Sequence, residues 1–178
     1  MKRVSLFLIL SLFCTQIFAQ SVPDPEFSGN PYIVGKDNSL KSLEKVEAQI
    51  DIKVKIIGGN DTYYTINSPK SDVRFPKNIL PKLIIKVDAN TDPSDIITLS
   101  KAETKKGQRR FLQASVKGPY TKAKDVSKTT VKLEFKKIRE GVFDIILPND
   151  IKSGEYGFVA KNSGSGNSKI KMICFGID

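Results

Sequence analysis

Histidine and tryptophan are both missing from this chain of 178 residues, and cysteine occurs only twice. Without histidine there is no Ser–His–Asp or Cys–His nucleophilic site and no imidazole ligand for a metal. Two cysteines, Cys14 and Cys174, are too few for a multi-cysteine zinc site. The glycine-rich stretch SGSGN (163–167) lacks the lysine and the following helix of a phosphate loop. Carboxylates remain as catalytic candidates, because glycoside hydrolysis needs only a facing pair. Most of Glu134, Glu140, Asp144, Asp150 and Glu155 sit in outward positions between lysines or in turns, and the absence of tryptophan leaves no obvious platform for a sugar. The expectation is a non-enzymatic protein with no cofactor and no metal.

What is present begins with MKRVSLFLILSLFCTQIFAQ: Lys2 and Arg3, an apolar run from Val4 to Phe13, a polar break at Thr15 and Gln16, and small Ala19. This is the layout of a secretory signal peptide over residues 1–19. The run is short of the ~20 residues that span a bilayer, so no transmembrane span is expected. Cys14 raises lipoprotein processing as an alternative; that route wants a small residue before the cysteine, and Phe13 is large. Cleavage after Ala19 leaves Cys174 as the mature cysteine, so no internal disulfide forms in a compartment that would permit one. Its alternating neighbours Ile170 and Met172 mark it as a buried small hydrophobe.

The mature chain reads as a Pro-, Gly- and Ser-rich arm (20–31) followed by one domain (32–178). Residues 32–46 fit either a hairpin around Gly35–Asn38 or a short helix carrying Leu40, Leu43 and Val46. From residue 49 the alternation is β: Ile50, Ile52, Val54 and Ile56 form an apolar face against Asp51, Lys53 and Lys55. Further strands follow at 62–66, 82–88 and 95–118, the last as two strands joined around Gly107. TTVKLEFKKI (129–138) and VFDIILP (142–148) form a hairpin through Gly141. GEYGFVA (154–160), a flexible loop at 162–167, and KIKMICFGI (169–177) complete the chain. The final strand carries Ile173, Cys174, Phe175 and Ile177 on both faces, so it is covered on both faces. Turn signals every 8–15 residues and no convincing helix predict an all-β, immunoglobulin-like (Greek-key) β-sandwich of roughly 8–10 strands.

Within PNDIKSGEYGF (148–158), a turn cluster, Gly154 and then Tyr156 at the start of a strand look like the tyrosine corner of such sandwiches. There a tyrosine hydroxyl bonds backbone a few residues upstream. Gly154 and Tyr156 are therefore structural candidates. The signal peptide, the GEYxF strand (Gly154, Glu155, Tyr156, Phe158) and the terminal FGID (Phe175 to Asp178) resemble secreted bacterial single-domain β proteins of unknown function. The resemblance covers the last quarter of the chain, with a weaker likeness in DPSDIITL (92–99). It implies secretion and a β fold and carries no activity or site residues.

DANTDPSD (88–95) has Asp88, Asn90 and Asp92 at the first, third and fifth spacing of a calcium loop. Pro93 stands where glycine is needed, and Leu99 where a bidentate glutamate is needed, so it reads as a polar loop with Asx turns. The positive feature is KAETKKGQRR (101–110). There are 29 Lys and Arg against 19 Asp and Glu, a net charge of +10. Lys101, Lys105, Lys106, Arg109 and Arg110 crowd the expected hairpin, with Lys117, Lys122, Lys124 and Lys128 in the next loop. Arginine grips phosphate or carboxylate with a planar fork. The alternative is a solvated loop that blunts strand edges with lysine. The overall expectation is an exported structural or binding module of the cell envelope, periplasmic or extracellular. The second reading is a binder of lipid head groups or acidic glycans through the basic hairpin. Another envelope protein is a further conceivable partner. Nucleic acid is not expected, because the patch lacks interleaved aromatics for stacking.

Overall fold

The computed structural model describes residues 22–56, 58–161 and 169–178. The expected signal peptide, Cys14, the first two residues of the arm and the expected loop at 162–167 lie outside the described residues.

The described residues are all-β. In chain order the strands are β1 (Pro31–Val34), β2 (Leu40–Ser42), β3 (Glu44–Val54), β4 (Gly59–Ile66), β5 (Arg74–Phe75), β6 (Leu83–Lys86) and β7 (Ile97–Lys101). They continue with β8 (Glu103–Lys105), β9 (Gln108–Lys117), β10 (Thr130–Val131), β11 (Glu134–Arg139), β12 (Val142–Ile146), β13 (Gly154–Ala160) and β14 (Lys169–Ile177). This exceeds the expected count because long apolar runs are cut where the chain changes sheet. The stretch 129–138 is one such case, with β10 in one sheet and β11 in the other. Residues 32–46 form the hairpin and not the helix: β1 and β2 pair antiparallel across a turn with Asn38 at φ 60. The only α-helical turn among the described residues is α1 (Pro93–Ile96), capped by Asp92, whose Oδ1 accepts from the Ser94 amide at 2.8 Å. That Asx turn is the fate of the 88–95 loop, and no cluster of three metal-ligating side chains occurs among the described residues.

One sheet runs β11-β12-β6-β1-β2; the other runs β10-β7-β13-β14-β3-β4-β9-β8, with β5 added parallel to β14. The second sheet curls on itself. β7 pairs with β13 and β8 pairs with β9, yet only Ala102 separates β7 from β8, so the two ends of the path meet on one stretch of chain. Inside the curl lie Ala48, Ile66, Phe111, Val159, Ile170, Met172 and Cys174. The space is filled: a Cβ on Gly157 would come within 2.6 Å of Met172 Cε and 2.9 Å of Phe111 Cε1. The outer face of β7, β13 and β14 packs on the smaller sheet, where Leu99, Tyr156, Phe158, Phe175 and Ile177 meet Leu83, Ile85 and Ile145. Tyr156 stacks on Phe175 with centroids 5.5 Å apart. β14 is thus apolar on both faces because it divides two cores. A third cluster, Tyr32, Val34, Ile84 and Val142, covers the far face of the smaller sheet, with Val22 of the arm packed against it.

The first strong alternation behaves differently from expectation. Ile50 joins the interior cluster, but Ile52, Val54 and Ile56 are exposed. Among the described residues β14 pairs with β3 as far as Gln49. Beyond that point β3, β4 and β9 run on together past the body, and their apolar face has nothing opposite it among the described residues. Among those residues no helix is long and apolar enough to cross a membrane.

Candidate anion-binding site

The basic stretch 101–110 divides between three environments, and the division follows from strand geometry. Successive side chains of a strand point to opposite faces. Arg109 and Arg110 are neighbours in β9, so they cannot share a surface.

Arg109 turns into the curl and is 0% exposed. This corrects the expectation that it belongs to a surface patch. Its guanidinium donates to both oxygens of Glu44, at 2.6 and 2.8 Å, and to the Ser68 hydroxyl at 2.8 Å. Glu155 of β13 stands 4.0 Å away. Glu155 in turn accepts from the Ser71 amide at 2.8 Å and from Arg74 at 2.6 Å, and Arg74 also holds the carboxylate of Asp178. Burial alone would raise the Glu44 pKa, but the Arg109 and Ser71 hydrogen bonds outweigh it and leave the group below its ordinary value. This network closes one end of the curl. The Glu155 carboxylate, a catalytic candidate by residue type, has both oxygens engaged in it.

Lys101 is also drawn away. Its Nζ donates to the Ser153 carbonyl at 2.9 Å, lies 5.8 Å from the Tyr156 ring centroid, and packs beside Gly154, whose φ is 150. A Cβ on Gly154 would come within 2.6 Å of Lys101 Cε, so glycine and lysine share that space. Burial lowers the Lys101 pKa. The Tyr156 hydroxyl donates to the carbonyl of Lys152, four residues upstream.

Lys105, Lys106 and Arg110 do share a face. Lys106 and Gly107 both have positive φ, 52 and 74, which makes the two-residue turn between β8 and β9 and leaves both lysines exposed at its tip. Arg110 sits over the Tyr63 ring, its Cζ 4.1 Å from the centroid. Tyr63 is 2% exposed and its hydroxyl accepts from Lys124 Nζ at 2.5 Å. That hydrogen bond raises the Lys124 pKa, so the cation is secure. Beneath them Asp61 is neutralised by Lys55 at 2.8 Å and Lys124 at 3.5 Å. Burial pushes the Asp61 pKa up, and the Lys55, Ser115 and Lys124 contacts more than reverse it.

Two shallow clefts flank Arg110. One, of about 380 Å³, is lined by Asp51, Lys53, Lys105, Lys106, Gln108 and Arg110, four cations against one carboxylate. The other, of about 440 Å³, sets Arg110, Lys124 and Lys128 beside Tyr63, Glu103 and Asp125. Arg110, Lys53, Lys105 and Lys106 make no ion pair with any described residue. A guanidinium stacked on a rigid ring keeps its donor edge free, and the stacking is worth about 0.5–1 kcal/mol where exposed. Sequence reasoning missed Lys53 as a member of this face. It arrives from β3, two strands away from β9, and only the β3–β4–β9 pairing places it there.

Comparison with known proteins returned no matching family model, no similar curated protein and no similar solved structure.

Proposed function

We propose that this chain is an exported, non-enzymatic binding module of the cell envelope that holds an anionic surface polymer on the cleft around Arg110. The observation that carries the reading is Arg110 itself. It is braced on buried Tyr63, has no carboxylate partner among the described residues, and stands beside Lys53, Lys105 and Lys106. A phosphate of a lipid head group and a carboxylate or sulfate of an acidic glycan present the same chemistry to that fork. The ring is covered by Arg110 and Lys124, so it serves as a support for cations and not as a stacking surface for bases. Export is supported by the charge and apolar layout of residues 1–19 and by the resemblance of GEYGF and FGID to secreted β proteins. The absence of histidine favours binding over catalysis. The immunoglobulin-like Greek-key order belongs to the same proposal, favoured by the Tyr156 bond to Lys152.

The test is retention on immobilised heparin and on an acidic bacterial glycan as salt is raised. Binding should weaken steeply with salt, since exposed charges are screened. Charge reversal of Lys105, Lys106 and Arg110 together should abolish it, whereas Lys136→Glu on β11 should not. Retention that survives the triple reversal refutes the site.

A further inference from the structure

Beyond the Arg110 cleft, the far end of the β3–β4–β9 extension is a second surface of different chemistry. Exposure along its apolar face rises toward the tip: Ile52 63%, Val54 77%, Ile56 104%. Val116 lies on the same face, since Val54, Asn60 and Val116 are register partners across the three strands. Tyr120, 84% exposed, stands on the adjoining turn. Exposed apolar groups gathered in this way mark an interaction site.

The two turns are joined by hydrogen bonds and close backbone contact. The Gly58 amide donates to the Lys55 carbonyl at 3.0 Å, and the Thr121 hydroxyl donates to the Gly58 carbonyl at 2.8 Å. The backbones touch so closely that a Cβ on Gly118 would lie 2.3 Å from the Gly58 carbonyl carbon. Ile56 and Tyr120 are therefore carried on adjoining turns.

The charge around them selects the occupant. The 117–122 turn reads Lys-Gly-Pro-Tyr-Thr-Lys and has no carboxylate, and Lys53 and Lys55 sit on β3 and the turn that follows it. Asp61, on the adjoining strand β4, is buried and already paired with Lys55 and Lys124. A second copy of this chain, with the same cationic tip and a strongly positive net charge, would be repelled. We propose that this tip inserts into the surface of an anionic lipid bilayer. Ile56, Val54 and Val116 enter the acyl boundary, Tyr120 lies at head-group level, and Lys117 and Lys122 rest against lipid phosphates. This does not rest on the Arg110 reading: either surface works without the other.

Because the chain has no tryptophan, Ile56→Trp supplies a single reporter at the apex. Mixed with vesicles of phosphatidylcholine and phosphatidylglycerol, its emission should shift to the blue and be quenched by lipids brominated near the head group. Pure phosphatidylcholine should give a weaker response. Ile56→Asp with Tyr120→Asp should lower vesicle binding by about tenfold or more, through loss of buried apolar surface. The same double variant should keep its circular-dichroism spectrum and its heparin retention, because both side chains are exposed. Unchanged tryptophan emission with anionic vesicles overturns the proposal. So does vesicle binding that survives the double variant, or a lipid-free, concentration-dependent dimer that the variant abolishes.

Discussion

Replacing Arg109 by methionine keeps the aliphatic stem in the curl and removes the guanidinium. Glu44 then loses two hydrogen bonds, of 2.6 and 2.8 Å, while Glu155 keeps Arg74 at 2.6 Å. Glu44 is partly buried, its side chain 15% exposed, so stranding it costs about 3 kcal/mol, the low end of what a buried pair loses. With a urea dependence of about 2 kcal/mol per molar for a chain of this size, the unfolding midpoint should fall by ~1.5 M. Arg110→Met is the matched control. It loses one exposed contact with Tyr63, worth about 0.5–1 kcal/mol. Adding Glu44→Gln to Arg109→Met removes the stranded charge, so the double variant should be more stable than the sum of the singles predicts, by about 1–3 kcal/mol. Circular dichroism against urea measures the wild type, the three single variants Arg109→Met, Arg110→Met and Glu44→Gln, and the double variant. Equal shifts for Arg109→Met and Arg110→Met, or a loss below about 1 kcal/mol for Arg109→Met, would refute the opposite-face assignment.

Acid should destabilise the fold through the same carboxylates. Glu44 and Asp61 sit below their ordinary values of 4.5 and 3.8 in the folded chain. Their contribution is therefore fully present above those values and is lost as pH falls through the folded ones. Melting temperature should be flat from neutral pH to about pH 5 and then drop, and Asp61→Asn should flatten part of the drop. The Cys174 thiol, pushed up to about 12 by burial, should resist a thiol reagent in the native protein and react once urea unfolds it. Deleting residues 173–178 removes Phe175 and Ile177 from the shared core and Asp178 from Arg74; the product should fail to fold, as read by loss of a cooperative melt. Unchanged thermal stability of that truncation would contradict the two-core account of β14.

Much of the β architecture was legible in the sequence because alternation reports burial directly. β12, β13 and β14 appear where their apolar periods put them, and the two-faced second half of β14 indicated a strand with a core on each side. The turns at Gly107 and Gly141 were legible too, each having positive φ, 74 and 68. What failed did so for non-local reasons. Alternation in Ile52, Val54 and Ile56 reads the same whether the face meets a core or solvent, and the outcome depends on what distant parts of the chain bring opposite it. The basic stretch was legible as charge but not as a surface. Reading 101–110 as one cluster ignored the two-residue period that sends Arg109 inward and Arg110 outward. Glu44 and Glu155, which claim Arg109, come from β3 and β13, so no local pattern announces the pair. Lys53 and Tyr63 join Arg110 through the same kind of distant pairing.

The most direct test of the Arg110 cleft is a residue-by-residue nuclear magnetic resonance titration with a sulfated or phosphorylated oligosaccharide. Amide and side-chain shifts should move, in a salt-dependent way, at Lys53, Tyr63, Lys105, Lys106 and Arg110, while Arg109 and the β11–β12 hairpin stay still. Shifts concentrated elsewhere on the protein, or none at saturating ligand in low salt, would contradict it.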